Sequence, residues 1–213
     1  MDFIDNQIQE YSEKHTQAES EVLYALNRET NAKILKPRML SGHLQGRVLS
    51  MFSNMIKPKY ILEIGTYTGY SALCLAEGLI DGGKLITIDN NEELESVVSK
   101  YVREAGFENS IEQIIGDATE IVPTLDYKWD IVFIDADKIN YSNYFDMVID
   151  KVNRGGYIIA DNVLWSGKVV QEVKGNDKDT QALLEFNDKV HQDTRVENLL
   201  LPVRDGLMIL RKK

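Results

Sequence analysis

The chain contains 213 residues, of which 43% are hydrophobic and 27% are charged. This length suits one domain, and the composition is that of a folded globular protein rather than a disordered chain or a disulfide-stabilised scaffold. The single cysteine excludes an internal disulfide, and the formal net charge of −10 disfavours non-specific binding to nucleic-acid phosphates.

The hydropathy pattern predicts no membrane segment. The longest apolar runs, such as 131–134 and 157–160, are far shorter than the roughly 20 residues that cross a bilayer. The N-terminal sequence MDFIDNQIQE is acidic and lacks the basic-then-apolar order of a signal peptide. We therefore expect a cytoplasmic protein without a membrane partner.

The N-terminal region predicts helices. Residues 5–26 carry an irregular apolar stripe typical of a polar helix. Residues 43–56 have the spacing of an amphipathic helix, which Lys57 and Pro58 end.

Beyond residue 58, short apolar strands alternate with helices. The predicted strands are Tyr60 to Ile64, Lys84 to Ile88, Ile111 to Ile115, Trp129 to Ile134, Gly156 to Ala160, Val196 to Leu201 and Leu207 to Leu210. The predicted helices are 70–79, 92–105, 117–125, 141–152 and 178–192. Such alternation predicts a mainly parallel sheet with helices on both faces.

Only Pro202 to Asp205 separate the last two predicted strands, which is hairpin length. We therefore expect an α/β fold whose seven-stranded, mainly parallel sheet has one antiparallel strand near its edge. No repeat or linker interrupts the chain, so we expect a single domain over 1–213, with a helical cap at 1–57 and a core at 58–213.

The first predicted strand runs into a turn with two glycines, Gly65 and Gly69, in the sequence EIGTYTGYS. Glycines at this place allow a tight turn and close approach to a ligand, but the spacing is not the G-x-G-x-x-G of a pyrophosphate site. The nearby acid, Glu63, suits a cationic ligand better. Asp89 ends the second strand, where a carboxylate can accept hydrogen bonds from ribose hydroxyls, and Ala118 follows the third, at the border of an adenine.

Each of these residues also has a purely structural explanation. Glu63 can cap a helix, Asp89 can begin the next helix, and Gly116 with Asp117 can form a plain turn. The ordered set at three successive strand ends nevertheless favours an adenosine-like ligand with a positively charged end.

Five segments together resemble a known family: EIGTYTGYS, ITIDN, GDA, FIDADK and ADNVLWSG. They are similar to class I S-adenosylmethionine-dependent O-methyltransferases, in the metal-dependent group of catechol and caffeoyl-CoA O-methyltransferases. The similarity covers about residues 35–213 and closes with PVRDGL at 202–207. It implies a Rossmann-like three-layer sandwich, S-adenosylmethionine as the cofactor and a homodimer.

The resemblance also implies which residues contact the cofactor. The implied set is Met39 and Ser41 in the pocket wall, Glu63, Gly65, Thr66 and Ser71 around the methionine and ribose, Asp89 on the ribose hydroxyls and Ala118 at the adenine. Asp137 is a further implied contact from the caffeoyl-CoA branch, and a solvated loop acid explains it equally well.

Three polar side chains follow the fourth and fifth predicted strands, namely Asp135, Asp161 and Asn162. If these strands are neighbours, the side chains converge at one edge of the sheet. Two carboxylates and an amide oxygen suit Mg²⁺, and also Mn²⁺ or Ca²⁺. Capping of the following helices is an alternative from spacing alone, and the resemblance favours the metal.

Lys138 is the candidate general base, as the resemblance implies. A neighbouring divalent cation disfavours its charged form, so a neutral amine can take the proton of a phenol. A surface lysine with a solvated amine is the alternative.

The expected reaction is methylation of one hydroxyl of a vicinal dihydroxy phenol. A rival acceptor is a hydroxylated uridine in tRNA, whose phosphates would contact a basic cluster. This basic cluster comprises Arg28, Lys33, Lys36 and Arg38, opposed by Glu29.

A third possibility is a catalytically silent cofactor-binding protein. The complete metal triad and base disfavour it.

Overall fold

The structure, a computed structural model, describes residues 5–173 and 175–213. Residues 1–4 and Lys174, which belong to the predicted single domain, lie outside these ranges. The helices are α1 (Asn6–Lys14), α2 (Glu21–Lys33), α3 (Gly42–Ile56), α4 (Tyr70–Ala76), α5 (Glu95–Glu104), α6 (Ala118–Thr124), α7 (Tyr141–Ile149) and α8 (Lys178–Gln192). The strands are β1 (Tyr60–Ile64), β2 (Lys84–Asp89), β3 (Ile111–Ile115), β4 (Trp129–Ile134), β5 (Val152–Ala160), β6 (Val196–Leu201) and β7 (Leu207–Lys212).

The strand predictions agree closely with the structure. Strands β1, β3, β4 and β6 begin and end at the predicted residues. Strand β5 begins earlier than predicted, at Val152, and continues through Gly155, whose φ of 80° is a conformation that favours glycine. Its pairing with β4 shifts register between Trp129 and Ile131, so the irregularity lies within the strand rather than at its end.

The single helix predicted for residues 5–26 is wrong, because the structure has two helices, α1 and α2, with a break between them. The hydroxyl of Thr16 donates to the carbonyl of Ser12 at 2.7 Å, and Ser20 caps α2 by accepting from the amide of Leu23 at 3.3 Å. Such side-chain bonds to the backbone compete with a continuous helix and favour a new helix start. Helix α2 then extends to Lys33.

The chain forms two compact units, residues 6–118 and residues 119–213. In the first, β1 pairs in parallel with β2, and β2 with β3. In the second, β4 and β5 are parallel, whereas β7 is antiparallel to both β5 and β6. The seven strands form one sheet in the order β3-β2-β1-β4-β5-β7-β6, so the antiparallel strand predicted near the edge is β7.

Strands β1, β2 and β4 are largely buried and mostly apolar. In β4, Ile131 to Ile134 are 0% exposed, as expected for a strand covered on both faces. Cys74 in α4 is also 0% exposed, and burial raises the pKa of its thiol to about 12, which is consistent with a core residue rather than a nucleophile. Among the described residues, no helix has both the length and the apolar character needed to cross a membrane.

A cluster around Glu29 joins α2 to α5. Its carboxylate accepts hydrogen bonds from Lys100 at 2.6 Å, from the hydroxyl of Tyr101 at 2.7 Å and from Lys33 at 3.0 Å. These three donors, Lys100 foremost, lower the pKa of Glu29 from 4.5 to about 2. The ionised carboxylate therefore stabilises the folded state.

We expect Glu29→Gln to lower the free energy of unfolding at neutral pH. Because the folded-state pKa lies below the unfolded one, the stability from Glu29 is fully present above about pH 5 and is lost as the pH falls toward about 2. Urea unfolding of parent and variant should therefore differ by a constant amount from about pH 7 to pH 5 and by less below it. The exposed Glu104 on α5 provides a control, Glu104→Gln. A parent-to-variant difference that grew in acid would contradict the assignment.

Candidate active site

The turn from β1 to α4 has the conformation that its glycines permit. Gly65 has a φ of 101° and Gly69 a φ of 86°, and the amide of Gly65 donates to the carbonyl of Ile88 at 2.9 Å. A Cβ atom on Gly69 would lie 3.3 Å from the side chain of Val98. Both positions therefore require glycine for backbone reasons, and Gly69 also for packing.

Asp89 holds this glycine turn in shape. One carboxylate oxygen, Oδ2, accepts from the amides of Thr66 at 3.0 Å and Tyr67 at 2.8 Å. The other, Oδ1, accepts from the amide of Asn91 at 2.9 Å. A carboxylate can accept about four hydrogen bonds, and the three amides use most of this capacity. About one acceptor position is left for a ribose hydroxyl. The cap of the following helical turn is Asn91, which accepts from the amide of Glu93 at 3.1 Å.

A buried chain of side chains joins Glu63 to Thr66 through Thr87. The hydroxyl of Thr87 donates to Oε2 of Glu63 at 2.6 Å, and the two threonine hydroxyl oxygens lie 2.5 Å apart. Because Thr87 has one proton and gives it to Glu63, the hydroxyl of Thr66 must donate to Thr87. The remaining lone pairs of Thr66 then suit a positively charged donor. Sequence reasoning missed Thr87, since a threonine inside a strand carries no motif.

The other predicted cofactor residues differ in exposure. Ser41, Ser71 and Ala118 are buried, whereas Met39 is 52% exposed in a short turn over Pro37–Met39. Tyr67 was also missed by sequence reasoning. Its hydroxyl donates to the carbonyl of Leu35 at 3.0 Å, which joins the glycine turn to the segment before Met39. Burial raises the pKa of Tyr67, so this hydroxyl remains a donor at neutral pH.

In the second unit, Lys138 lies among residues predicted to bind the metal. Its ammonium donates to Oδ1 of Asp135 at 3.2 Å and to Oδ1 of Asn162 at 2.9 Å. The lysine is 7% exposed, which excludes the alternative of a solvated surface amine. Asp161, 2% exposed, accepts from the amide of Asn162 at 2.7 Å. The structure therefore places Lys138 against Asp135 and Asn162, with Asp161 bonded to the amide of Asn162. Their roles as base and metal ligands stay predictions.

Tyr141 completes the surroundings of Lys138. Its hydroxyl oxygen accepts from the ammonium at 2.6 Å, and its proton is donated to the backbone carbonyl of Asp161 at 2.9 Å. Tyr141 is fully buried, and burial followed by the charge of Asp135 raises its pKa well above the ordinary value, so it stays protonated.

The donor set fits a hard divalent cation. The oxygens of Asp135 and Asn162 both accept from the ammonium of Lys138. These oxygens therefore already bind one cationic group. Carboxylate and amide oxygens are the ligands that Mg²⁺, Mn²⁺ and Ca²⁺ prefer. Over residues 5–173 and 175–213, no group of three or more His, Cys, Asp or Glu side chains has a metal-binding arrangement, so an alternative site of that kind is not present there.

Asp137 is bonded within its own segment. Its Oδ1 accepts from the hydroxyl of Tyr144 at 2.5 Å and its Oδ2 from the side-chain amide of Asn140 at 2.7 Å. These bonds orient the exposed carboxylate just before the short 3-10 turn Lys138–Asn140 that leads into α7. Its contact with the cofactor stays a prediction.

Comparison with known proteins gives consistent matches. The O-methyltransferase family model matches residues 11–213. Caffeoyl-CoA O-methyltransferase of Stellaria longipes is 34% identical over 204 residues, which cover 91% of this chain and 84% of the relative. Caffeoyl-CoA O-methyltransferase 5 of Nicotiana tabacum is 36% identical over 196 residues, covering 87% and 82%.

Solved structures agree with these matches. The SAH-bound methyltransferase of Podospora anserina has a TM-score of 0.89 at 28% identity, covering 98% of this chain and 94% of that one. The O-methyltransferase of Bacillus cereus, in complex with SAH (S-adenosylhomocysteine), has a TM-score of 0.90 at 26% identity and covers 97% of both chains.

We expect Thr87→Val to weaken binding of S-adenosylhomocysteine and to lower the free energy of unfolding by about 1–3 kcal/mol. The substitution keeps the shape of the side chain and removes the hydroxyl that donates to Glu63 and accepts from Thr66. The hydroxyl of Thr66 then loses the partner that fixes its direction. Calorimetric titration and urea unfolding measure the two effects.

Thr87→Ser retains the hydroxyl and serves as the matched control, which should keep most of the parental affinity. Parental affinity in Thr87→Val would show that the buried chain does not orient the site.

Proposed function

Because this chain belongs to the O-methyltransferase family and is an S-adenosylmethionine-dependent methyltransferase, we propose that it methylates one hydroxyl of a vicinal dihydroxy phenol with the help of Mg²⁺. Mn²⁺ or Ca²⁺ would fit the same oxygen ligands. The observation that carries this proposal is the convergence of Asp135, Asn162 and Lys138, since it combines hard cation ligands with a buried base.

On the cofactor side, the proposal uses residues of the first unit. The lone pairs of Thr66 and the buried acid Glu63 would favour the positively charged methionine end of S-adenosylmethionine. Asp89 would accept about one hydrogen bond from the ribose hydroxyls while it keeps its bonds to the amides of Thr66 and Tyr67. Met39, Ser41, Gly65, Ser71, Ala118 and Asp137 complete the proposed set of contacts.

On the acceptor side, Asp135, Asp161 and Asn162 would hold the divalent cation. The bound ion would stabilise the phenolate form of two adjacent substrate oxygens and fix their orientation. Nζ of Lys138 would take the proton of the reacting hydroxyl, and Tyr141 would hold that nitrogen in place. Bound S-adenosylmethionine would supply the methyl group: the phenolate oxygen would bond to the methyl carbon as the carbon–sulfur bond breaks, leaving S-adenosylhomocysteine as the neutral thioether.

A small phenolic acceptor is supported by the relatives, whose names specify caffeoyl-CoA. The rival, a tRNA uridine, relies on the basic cluster Arg28, Lys33, Lys36 and Arg38. In the structure the charge of Lys33 is engaged by Glu29, at 3.0 Å. This bond occupies one of the four basic side chains of that cluster, and the names of the relatives favour the small acceptor. The homodimer stays a prediction, which sedimentation at micromolar concentration can check.

We expect the double variant Asp135→Ala plus Asp161→Ala to lose metal-dependent turnover by about a hundredfold or more, because the cation loses both carboxylate ligands. Its affinity for S-adenosylhomocysteine should stay close to that of the parent. Transfer of labelled methyl groups to a catechol panel, with Mg²⁺ and with chelator, measures turnover. Asp188→Ala, at an exposed position of α8, controls for loss of a surface carboxylate. Catechol methylation at the parental rate in the double variant would contradict the mechanism.

The same labelled cofactor distinguishes the two acceptors. Methyl incorporation into catechols and into bulk tRNA should be measured in parallel at several salt concentrations. The proposal expects transfer to catechols alone. Incorporation into tRNA that falls steeply with salt would instead assign the enzyme to RNA.

A further inference from the structure

The ammonium of Lys138 has all its hydrogen-bonding capacity occupied. A lysine ammonium carries three N–H donors, and here they meet Oδ1 of Asp135, the hydroxyl oxygen of Tyr141 and Oδ1 of Asn162. The lysine side chain is 8% exposed and that of Asp135 is 22% exposed. The lysine is therefore a fully bonded, buried positive charge.

Two of its three acceptors are the atoms proposed to bind the metal. Oxygen ligands of Mg²⁺ lie at about 2.0–2.1 Å from the ion, closer than the 2.9 Å and 3.2 Å that separate them from Nζ of Lys138. An ammonium and a divalent cation on the same two oxygens would repel each other strongly in a buried site. The two positive charges must therefore compete for Asp135 and Asn162.

We infer that Lys138 is a place-holder cation, which holds Asp135 and Asn162 together until a divalent cation displaces its ammonium from them. The inference rests on the proposed function, because it uses the proposed metal ligands. The place-holder stabilises the metal-free site, where Asp135 would otherwise be a partly buried carboxylate without a compensating charge. It also weakens metal binding, because the ion has to displace a bonded cation.

The surroundings provide a position for the displaced ammonium. The hydroxyl of Tyr141 does not belong to the metal ligands and can keep its bond to Nζ. Nζ already lies 4.7 Å from the ring centre of Tyr141 and 5.7 Å from that of Trp165, and aromatic faces attract a cation at such distances. Displacement therefore leaves Nζ bonded to Tyr141. An ammonium has no lone pair, so the proposed base role of Lys138 requires that it first release one proton to solvent, which a neighbouring divalent cation favours.

Titration of Mn²⁺ into the protein saturated with S-adenosylhomocysteine, followed by calorimetry, tests this role without measuring turnover. Lys138→Met and Lys138→Gln remove the competing charge, so we expect both to bind Mn²⁺ about tenfold or more tightly than the parent. Lys138→Arg keeps the charge and should show no such gain. In chelator, the neutral variants should melt at lower temperature than the parent, and Mn²⁺ should raise their melting temperature by more.

The variant Asp135→Ala distinguishes failure of the place-holder role from failure of the proposed metal site. If Asp135→Ala abolishes Mn²⁺ binding but both neutral lysine variants bind no more tightly than the parent, the place-holder role is overturned and the metal site stands. If Asp135→Ala binds Mn²⁺ as the parent does, the metal site itself is overturned, and the place-holder role with it. Should Lys138→Met not fold, Lys138→Gln decides, because its amide can still donate to Asp135.

Discussion

The buried charge of Lys138 constrains how the turns of the second unit are arranged. A buried ammonium has to be neutralised and given acceptors for its protons, and Asp135, Asn162 and Tyr141 meet both requirements. The turns that follow β4 and β5 must then bring these residues together. Asn162 adopts a φ of 60°, a left-handed conformation that asparagine tolerates better than most residues. The same arrangement gathers oxygens that suit a divalent cation, so the bonds that stabilise the fold also prepare the proposed chemistry.

In the first unit, two carboxylates fix the positions of neighbouring groups through hydrogen bonds. Asp89 accepts from the amides of Thr66 and Tyr67, so an acid predicted to contact the cofactor also sets the shape of the glycine turn. Glu63 is buried behind the same turn and fixes the direction of the Thr87 and Thr66 hydroxyls. Part of the acidic excess of this chain, with its formal net charge of −10, is therefore internal and structural. Such acids favour a cofactor that carries positive charge and disfavour phosphates.

Sequence reasoning predicted the α/β class, the antiparallel strand near the sheet edge and most strand boundaries. It failed where the hydrophobic pattern was weak. Residues 5–26 have only an irregular apolar stripe, and the bonds of Thr16 and Ser20 that break the helix leave no periodic signal. Strand β5 was predicted too short because Gly155 resembles a strand end, whereas in the structure it is accommodated within an irregular strand.

The sequence by itself determined the strands of the sheet, because burial on both faces requires apolar runs such as Ile131 to Ile134. It also determined the residue types at the strand ends, and through their resemblance to a family it predicted Asp135 and Lys138 as site residues. Only the tertiary structure decided what these residues bond. The partners of Lys138, Thr87 and Tyr67 include residues 24 to 32 positions away in the chain. Hydrogen bonds over such separations depend on how strands and turns are brought together, and no local pattern in the sequence records them.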